Sequence, residues 1–167
     1  MRALVVFGST RGGTMGLAQM VATGLRDEGL TAEVLPAGQA RKLGGYDAVV
    51  VGGAVYAMRW HRAARRFVRK HAAELRQRPT YFFSSGPLDD SAARMEIPPL
   101  PSVKALMDQV GARGHVTFGG RLQPHTRGLL AGVIAKEQAG DWRDPVQVRD
   151  WTRTLAAQLR AETRSAA

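Results

Sequence analysis

Residues 3–14 read ALVVFGSTRGGT, and this stretch decides the fold. Its apolar run at 3–7 is continuous, as in a strand that is covered by helices on both faces. A loop of glycines and hydroxyl residues follows at 8–14, and from about residue 14 to 28 apolar residues recur at helical spacing. Gly29 is a typical helix terminator. The order of strand, polar loop and helix predicts the opening unit of a parallel α/β sheet.

The same alternation continues along the chain. Apolar runs predict further strands at 31–35, 48–51, 80–84 and 115–118, and helical patterns occur at 61–77, 102–110 and 145–162, with a short extra helix at 128–136. Strands that alternate with helices form a parallel sheet through right-handed crossovers. We therefore predict an α/β fold in one domain over 1–167: a three-layer, doubly wound, five-stranded parallel sheet in the order 2-1-3-4-5.

Composition excludes several kinds of chemistry. The chain has no cysteine, which excludes disulfides, thiolate nucleophiles and cysteine-bound iron–sulfur clusters. Its four histidines match no zinc-binding spacing, so no metal site is expected. The apolar runs are too short to cross a bilayer, and the first leads into a glycine turn rather than a cleavage site, which favours a cytoplasmic protein. Any redox chemistry then needs a bound organic cofactor.

The loop at 8–14 has the composition of an anion site. A helix N-terminus presents free backbone N–H groups, and glycines let a ligand approach the backbone closely. The glycine spacing does not fit GxGxxG, and Thr14-Met15 stands where the Walker pattern needs lysine and a hydroxyl residue. A phospho-receiver domain needs an acidic pair after the first strand, where this chain has Gly8-Ser9. The plain alternative is an ordinary capped turn.

Three more loops are predicted at the same edge, because ligands of such sheets bind beyond the carboxyl ends of the strands. The loop after the third strand carries Tyr56 and Trp60, whose rings either stack on a planar ligand or pack against the next helix. The loop at 84–89 is small and polar, so its backbone amides can bond a ligand, although it is also compatible with a plain connection. The loop at 119–125 leaves the same edge.

The charge of the chain is strongly positive and unevenly distributed. The net charge is +10, and the segment 59–78 holds eight cations against the single anion Glu74. This face is either a solvated helix surface or a surface for an anionic substrate, an acidic redox protein or peripheral contact with an anionic membrane. No nucleic-acid-reading motif accompanies it, so nucleic acid is not an expected partner. The cations are Arg59, Arg62, Arg65, Arg66, Arg69, Lys70, Arg76 and Arg78.

The loop at 8–14 also resembles the phosphate loop of flavodoxins, T/S-x-T-G-x-T. Ser9, Gly12 and Thr14 match its first, fourth and sixth positions, and Arg11 replaces the hydroxyl residue at the third. Residues 51–79 and 141–144 are similar to one branch of that superfamily, the menaquinone-dependent protoporphyrinogen IX dehydrogenases. The segment between the fifth strand and the last helix, about 122–140, is shorter and less rich in basic and aromatic residues than in that branch.

The resemblance implies one non-covalently bound FMN and oxidoreductase activity on a quinone or porphyrinogen-like substrate. A flavodoxin-type one-electron carrier and a flavodoxin-like protein without flavin are the alternatives, and the positive charge argues against the carrier because typical carriers are acidic. No catalytic acid or base is assigned; His61 is the nearest candidate, and a histidine at a helix start is usually structural. The implied FMN-binding residues are Ser9, Thr10, Arg11, Gly12, Gly13, Thr14, Ala54, Val55, Tyr56, Trp60, Ser84, Ser85, Gly86, Pro87 and Leu88.

Overall fold

The structure is a computed structural model that describes residues 1–10, 12–122 and 140–165. Its central sheet contains five parallel strands in the order β2-β1-β3-β5-β6. A two-residue strand, β4, pairs antiparallel with the end of β3. Counted without β4, this is the predicted order 2-1-3-4-5, and the predicted fold is confirmed. The strands are β1 (Arg2–Gly8), β2 (Thr31–Pro36), β3 (Ala48–Tyr56), β4 (Arg59–Trp60), β5 (Thr80–Ser85) and β6 (Gly114–Phe118).

Helices cover both faces of the sheet. One face packs against α1 (Gly13–Asp27) and α6 (Pro145–Ser165), and the other against α2 (Arg62–Lys70), α3 (Ala72–Arg76) and α5 (Pro101–Val110). Successive strand residues point to opposite faces, so Val5 lies in the first cluster and Val6 in the second, both with 0% exposure. This two-sided burial explains why the sequence of the central strands is continuously apolar at 3–7 and 48–51.

The register of the strands brings four loops to one edge. Gly8 of β1 pairs with Gly53 of β3, and Ser85 of β5 pairs with Ala54 on one side and Phe118 on the other. The carboxyl ends of β1, β3, β5 and β6 are therefore level. The chain leaves the sheet there as the loops that the sequence identified.

Two predicted elements differ from the structure by more than a few residues at an end. The strand predicted at 48–51 continues to Tyr56, because Gly52 and Gly53 make room for neighbouring rings rather than ending the strand: a Cβ on Gly52 would lie 2.0 Å from Phe83 Cζ. The helix predicted at 61–77 is interrupted at His71, whose Nδ1 lies 2.7 Å from Glu74 Oε1.

Four short elements were not predicted. They are β4, the helix α4 (Ser91–Arg94), and the strands β7 (Arg121–Leu122) and β8 (Gly140–Asp141), which form their own antiparallel pair. The helix predicted at 128–136 lies outside the described residues. Among the helices that the structure describes, none combines the length and the apolar character needed to cross a bilayer.

Candidate ligand-binding cleft at the carboxyl edge of the sheet

The first wall of the cleft is the loop between β1 and α1. Gly12, the N-cap of α1, has φ +78°, a left-handed conformation that favours glycine, and it has no side chain with which to cap the helix. The first turn of α1 contains no acidic residue, and Thr14 within it is 1% exposed. The N–H groups at the positive end of this helix are suited to bind an anion. Arg11 lies outside the described residues.

The second wall is a tight hairpin that connects β3 to β4. Val55 pairs with Trp60 and Tyr56 with Arg59, which leaves Ala57 and Met58 as a two-residue turn. Both turn residues have positive φ, 45° and 60°, a conformation that such turns require and that glycine or asparagine usually supplies. The turn holds the half-buried Tyr56 against the cleft and leaves Met58 70% exposed.

Trp60 lies in the core of the protein, at 1% exposure. Its ring packs over Gly53, where a Cβ would lie 2.4 Å from Trp60 Cδ2, and its centroid is 5.0 Å from that of Phe82. The indole N–H donates to Ser84 Oγ at 2.8 Å. Of the two aromatic residues that the sequence offered as stacking partners, the structure therefore brings Tyr56 to the cleft and places Trp60 behind it.

The third wall comes from the loops after β5 and β6. The N–H of Gly86 donates to the Phe118 carbonyl at 3.1 Å, and the N–H of Gly120 donates to the Pro87 carbonyl at 2.8 Å. These bonds join the two loops into one surface. The sequence placed the loop after β6 at this edge without assigning binding residues to it, whereas the structure adds Gly120, Arg121 and Leu122 to the lining.

These walls line a small cleft of about 90 Å³ that is partly open to solvent. Thr10, Gly12, Trp60, Ser84 and Pro87 are not among the lining residues. The predicted residues that line the cleft are Ser9, Gly13, Thr14, Ala54, Val55, Tyr56, Ser85, Gly86 and Leu88.

Two histidines lie behind the cleft, and burial lowers the pKa of both. Burial lowers the pKa of His115 to about 4, and its Nε2 lies 2.8 Å from Ser84 Oγ, so the Ser84 side chain is engaged by Trp60 and His115. Partial burial, and then the nearby Arg65 guanidinium, lower the pKa of His61. His61 Nε2 lies 2.9 Å from the hydroxyl of Thr10 in the first wall.

Comparison with known families identifies a domain over most of the chain. A family model described as "Flavodoxin domain" matches residues 4–133. Among curated proteins, the chain is 31% identical over 86 residues to a protoporphyrinogen IX dehydrogenase [quinone] of Escherichia coli, an alignment that covers 50% of this chain and 48% of that protein. The chain thus spans about half the length of the curated relatives it matches.

Solved structures share the fold at low sequence identity. A variant flavodoxin from Pseudomonas aeruginosa superposes with a TM-score of 0.59 at 16% identity, covering 96% of this chain and 99% of that one. The rubredoxin oxygen:oxidoreductase of Desulfovibrio gigas superposes with a TM-score of 0.65 at 13% identity, covering 97% of this chain and 37% of that one. At these identities the likeness concerns the fold alone.

Proposed function

The chain belongs to the flavodoxin domain family, and we propose that it binds FMN and acts as an oxidoreductase on a quinone or porphyrinogen-like substrate. The observation that carries the proposal is the cleft itself. It joins an uncapped helix N-terminus to an aromatic side chain, Tyr56, at the carboxyl edge of a doubly wound sheet. Such an edge is where sheets of this kind bind their ligands.

The residues of the cleft fit an anionic ligand with a planar ring. The backbone N–H groups that begin α1, with the hydroxyls of Ser9 and Thr14, are suited to hold the phosphate. Tyr56 and the loop that contains Gly86 and Leu88 are suited to hold the ring between them. When bound, FMN would supply the electron transfer, since this protein has no cysteine for thiol–disulfide chemistry.

The substrate class rests on the matched E. coli relative, whose name specifies protoporphyrinogen IX and a quinone. The positive charge supports the same proposal, because a net charge of +10 attracts an anionic partner. It also argues against a one-electron carrier: typical carriers are acidic and bind basic reductases, which this protein would repel. A porphyrinogen with carboxylate side chains is anionic, so this charge is compatible with such a substrate.

The first prediction is that the full-length protein, stripped of flavin, binds one FMN per chain and binds it at least about tenfold more tightly than riboflavin. Riboflavin lacks the phosphate, and a phosphate held by several N–H groups at a helix N-terminus contributes at least this much affinity. The measurement is a titration that follows quenching of flavin fluorescence. Absence of binding at tens of micromolar FMN would favour a flavodoxin-like protein without flavin.

We further propose that the cations beside the cleft attract an anionic partner. Two of the eight cations in the segment 59–78 form hydrogen bonds within the protein. Arg76 donates to the Gln109 carbonyl, and Arg78 donates to the Tyr46 carbonyl. The other six cations of the segment form no ion pair with the described residues. These six are named the basic rim here: Arg59, Arg62, Arg65, Arg66, Arg69 and Lys70.

The basic rim begins at the mouth of the cleft. Arg59 pairs with the cleft residue Tyr56 across the hairpin, and Arg62 is the first residue of α2. Since a helix rises about 1.5 Å per residue, Arg66 lies only about one turn farther from the mouth. Cations this close to a cleft raise the local concentration of anions, and salt weakens the effect.

The second prediction is that the double variant Arg62→Glu/Arg66→Glu slows reoxidation of the reduced holoprotein by the anion ferricyanide about tenfold at low salt. Reoxidation by an uncharged benzoquinone should change little, and high salt should remove the difference. Arg149→Glu/Arg164→Glu, with the same charge change on α6 across the sheet, is the control. Equal effects of both pairs, or rates independent of salt, would mean that the basic rim is only a solvated surface. Co-sedimentation with anionic vesicles tests whether the partner is a membrane.

A further inference from the structure

The N-terminus of α2 lies directly against the loop between β1 and α1. The two are close enough that a Cβ on Gly8 would lie 2.6 Å from the backbone nitrogen of Ala64. His61, the N-cap residue of α2, reaches across this contact to Thr10, with 2.9 Å between Nε2 and Oγ1. Its ring also meets Tyr56 edge-on, with the ring centroids 6.1 Å apart. One histidine therefore contacts two walls of the cleft.

The capping bond determines which nitrogen of His61 carries the proton. Nδ1 accepts the backbone N–H of Ala63 at 3.3 Å, so in the neutral ring this nitrogen has no hydrogen. The proton is then on Nε2, and Nε2–H donates to the hydroxyl oxygen of Thr10. Partial burial and Arg65 lower the pKa of His61, which favours this neutral form at neutral pH.

The direction of this bond leaves the Thr10 hydroxyl proton available. A hydroxyl has one proton, and Thr10 oxygen uses a lone pair to accept from His61. Within the ranges that the structure describes, His61 is the hydrogen-bond partner of the Thr10 side chain. The side chain is exposed and belongs to the same loop as Ser9 and Gly12, at the uncapped end of α1.

We propose that His61 is a positioning residue that orients the Thr10 hydroxyl so that its proton is donated to the phosphate of the bound flavin nucleotide. This inference rests on the proposed function, since it concerns the same cleft. It assigns to His61 a part in selecting FMN over flavins without phosphate. A purely structural cap would stabilise α2 and would not distinguish FMN from riboflavin.

The test is a set of variants in which capping and orientation are separated. His61→Asn keeps a good N-cap, because asparagine is among the preferred residues there, but its amide is too short to reach Thr10. Thr10→Val removes the hydroxyl and keeps the shape of the side chain. The third protein is the double variant. Affinities for FMN and riboflavin are measured for each full-length protein stripped of flavin, together with its thermal unfolding midpoint.

We expect His61→Asn and Thr10→Val each to weaken FMN binding about three- to tenfold, the contribution of one hydrogen bond, and to leave riboflavin affinity and the unfolding midpoint unchanged. The double variant should be no weaker than Thr10→Val alone, because both changes remove the same bond. Additive losses, or equal losses for the two ligands, would overturn the inference. So would wild-type FMN affinity in His61→Asn, and this outcome leaves the proposed function intact. A wild-type protein that binds no FMN overturns both.

Discussion

Gly8→Ala is expected to lower the free energy of unfolding by about 1–3 kcal/mol and to weaken FMN binding by more than about tenfold. The added Cβ would lie 2.6 Å from the backbone nitrogen and 2.9 Å from the Cβ of Ala64. Both atoms belong to the start of α2, at a residue with 0% exposure, so no flexible side chain can move aside. The helix must shift away from the end of β1, and the contact between His61 and Thr10 shifts with it.

Denaturant unfolding and the FMN titration measure these two effects. Gly38→Ala is the matched control, because a Cβ on Gly38 meets no atom within 4 Å and the residue is exposed. The control should change stability by less than about 0.5 kcal/mol and leave FMN affinity unchanged. If Gly8→Ala is as stable and binds FMN as tightly as the wild type, the close packing of α2 on the β1 loop does not support the cleft.

The sequence predicted the sheet well because local pattern and burial agree there. Continuous apolar runs such as 48–51 are expected only for strands covered on both sides, and residues Val49, Val50 and Val51 all have 0% exposure. The helical pattern at 61–77 also agrees with burial, because its buried residues recur at helical spacing: Ala64, Phe67, Val68, His71 and Leu75. The period and composition of a segment are enough to predict its structure where the burial of each residue depends only on its position in its own helix or strand.

The hairpin was not predicted because its signal is not local. Two-residue hairpin turns favour glycine, asparagine or aspartate, and this chain has Ala57 and Met58 at positive φ. Tertiary contacts must therefore hold the turn, and the burial of Trp60 against Gly53 and Phe82 is the evident source. In the sequence, Tyr56 and Trp60 are both aromatic residues in the loop predicted at the ligand-binding edge of the sheet. Only the folded structure shows that Tyr56 lies at the cleft and Trp60 in the core.

The last prediction separates the roles of these two aromatic residues. Trp60→Ala is expected to lower the free energy of unfolding by about 3–5 kcal/mol, because it empties a fully buried site and removes the N–H bond to Ser84. Tyr56→Ala removes a half-buried side chain at the surface of the cleft and should cost less than about 1 kcal/mol. Its main effect should instead be an approximately tenfold weaker affinity for both FMN and riboflavin, since the two ligands share the ring that Tyr56 contacts under the proposed function.

Trp60→Phe provides the control, because it keeps an aromatic ring in the core. Its cost should be well below that of Trp60→Ala, and its flavin affinity should remain close to wild type while the fold is intact. Stability from denaturant unfolding and affinity from fluorescence titration are measured for all three variants. If Trp60→Phe loses flavin affinity at unchanged stability, while Tyr56→Ala binds both flavins normally, the ring contact belongs to Trp60. The hairpin would then have to open when the ligand binds, because Trp60 at 1% exposure cannot reach a ligand otherwise.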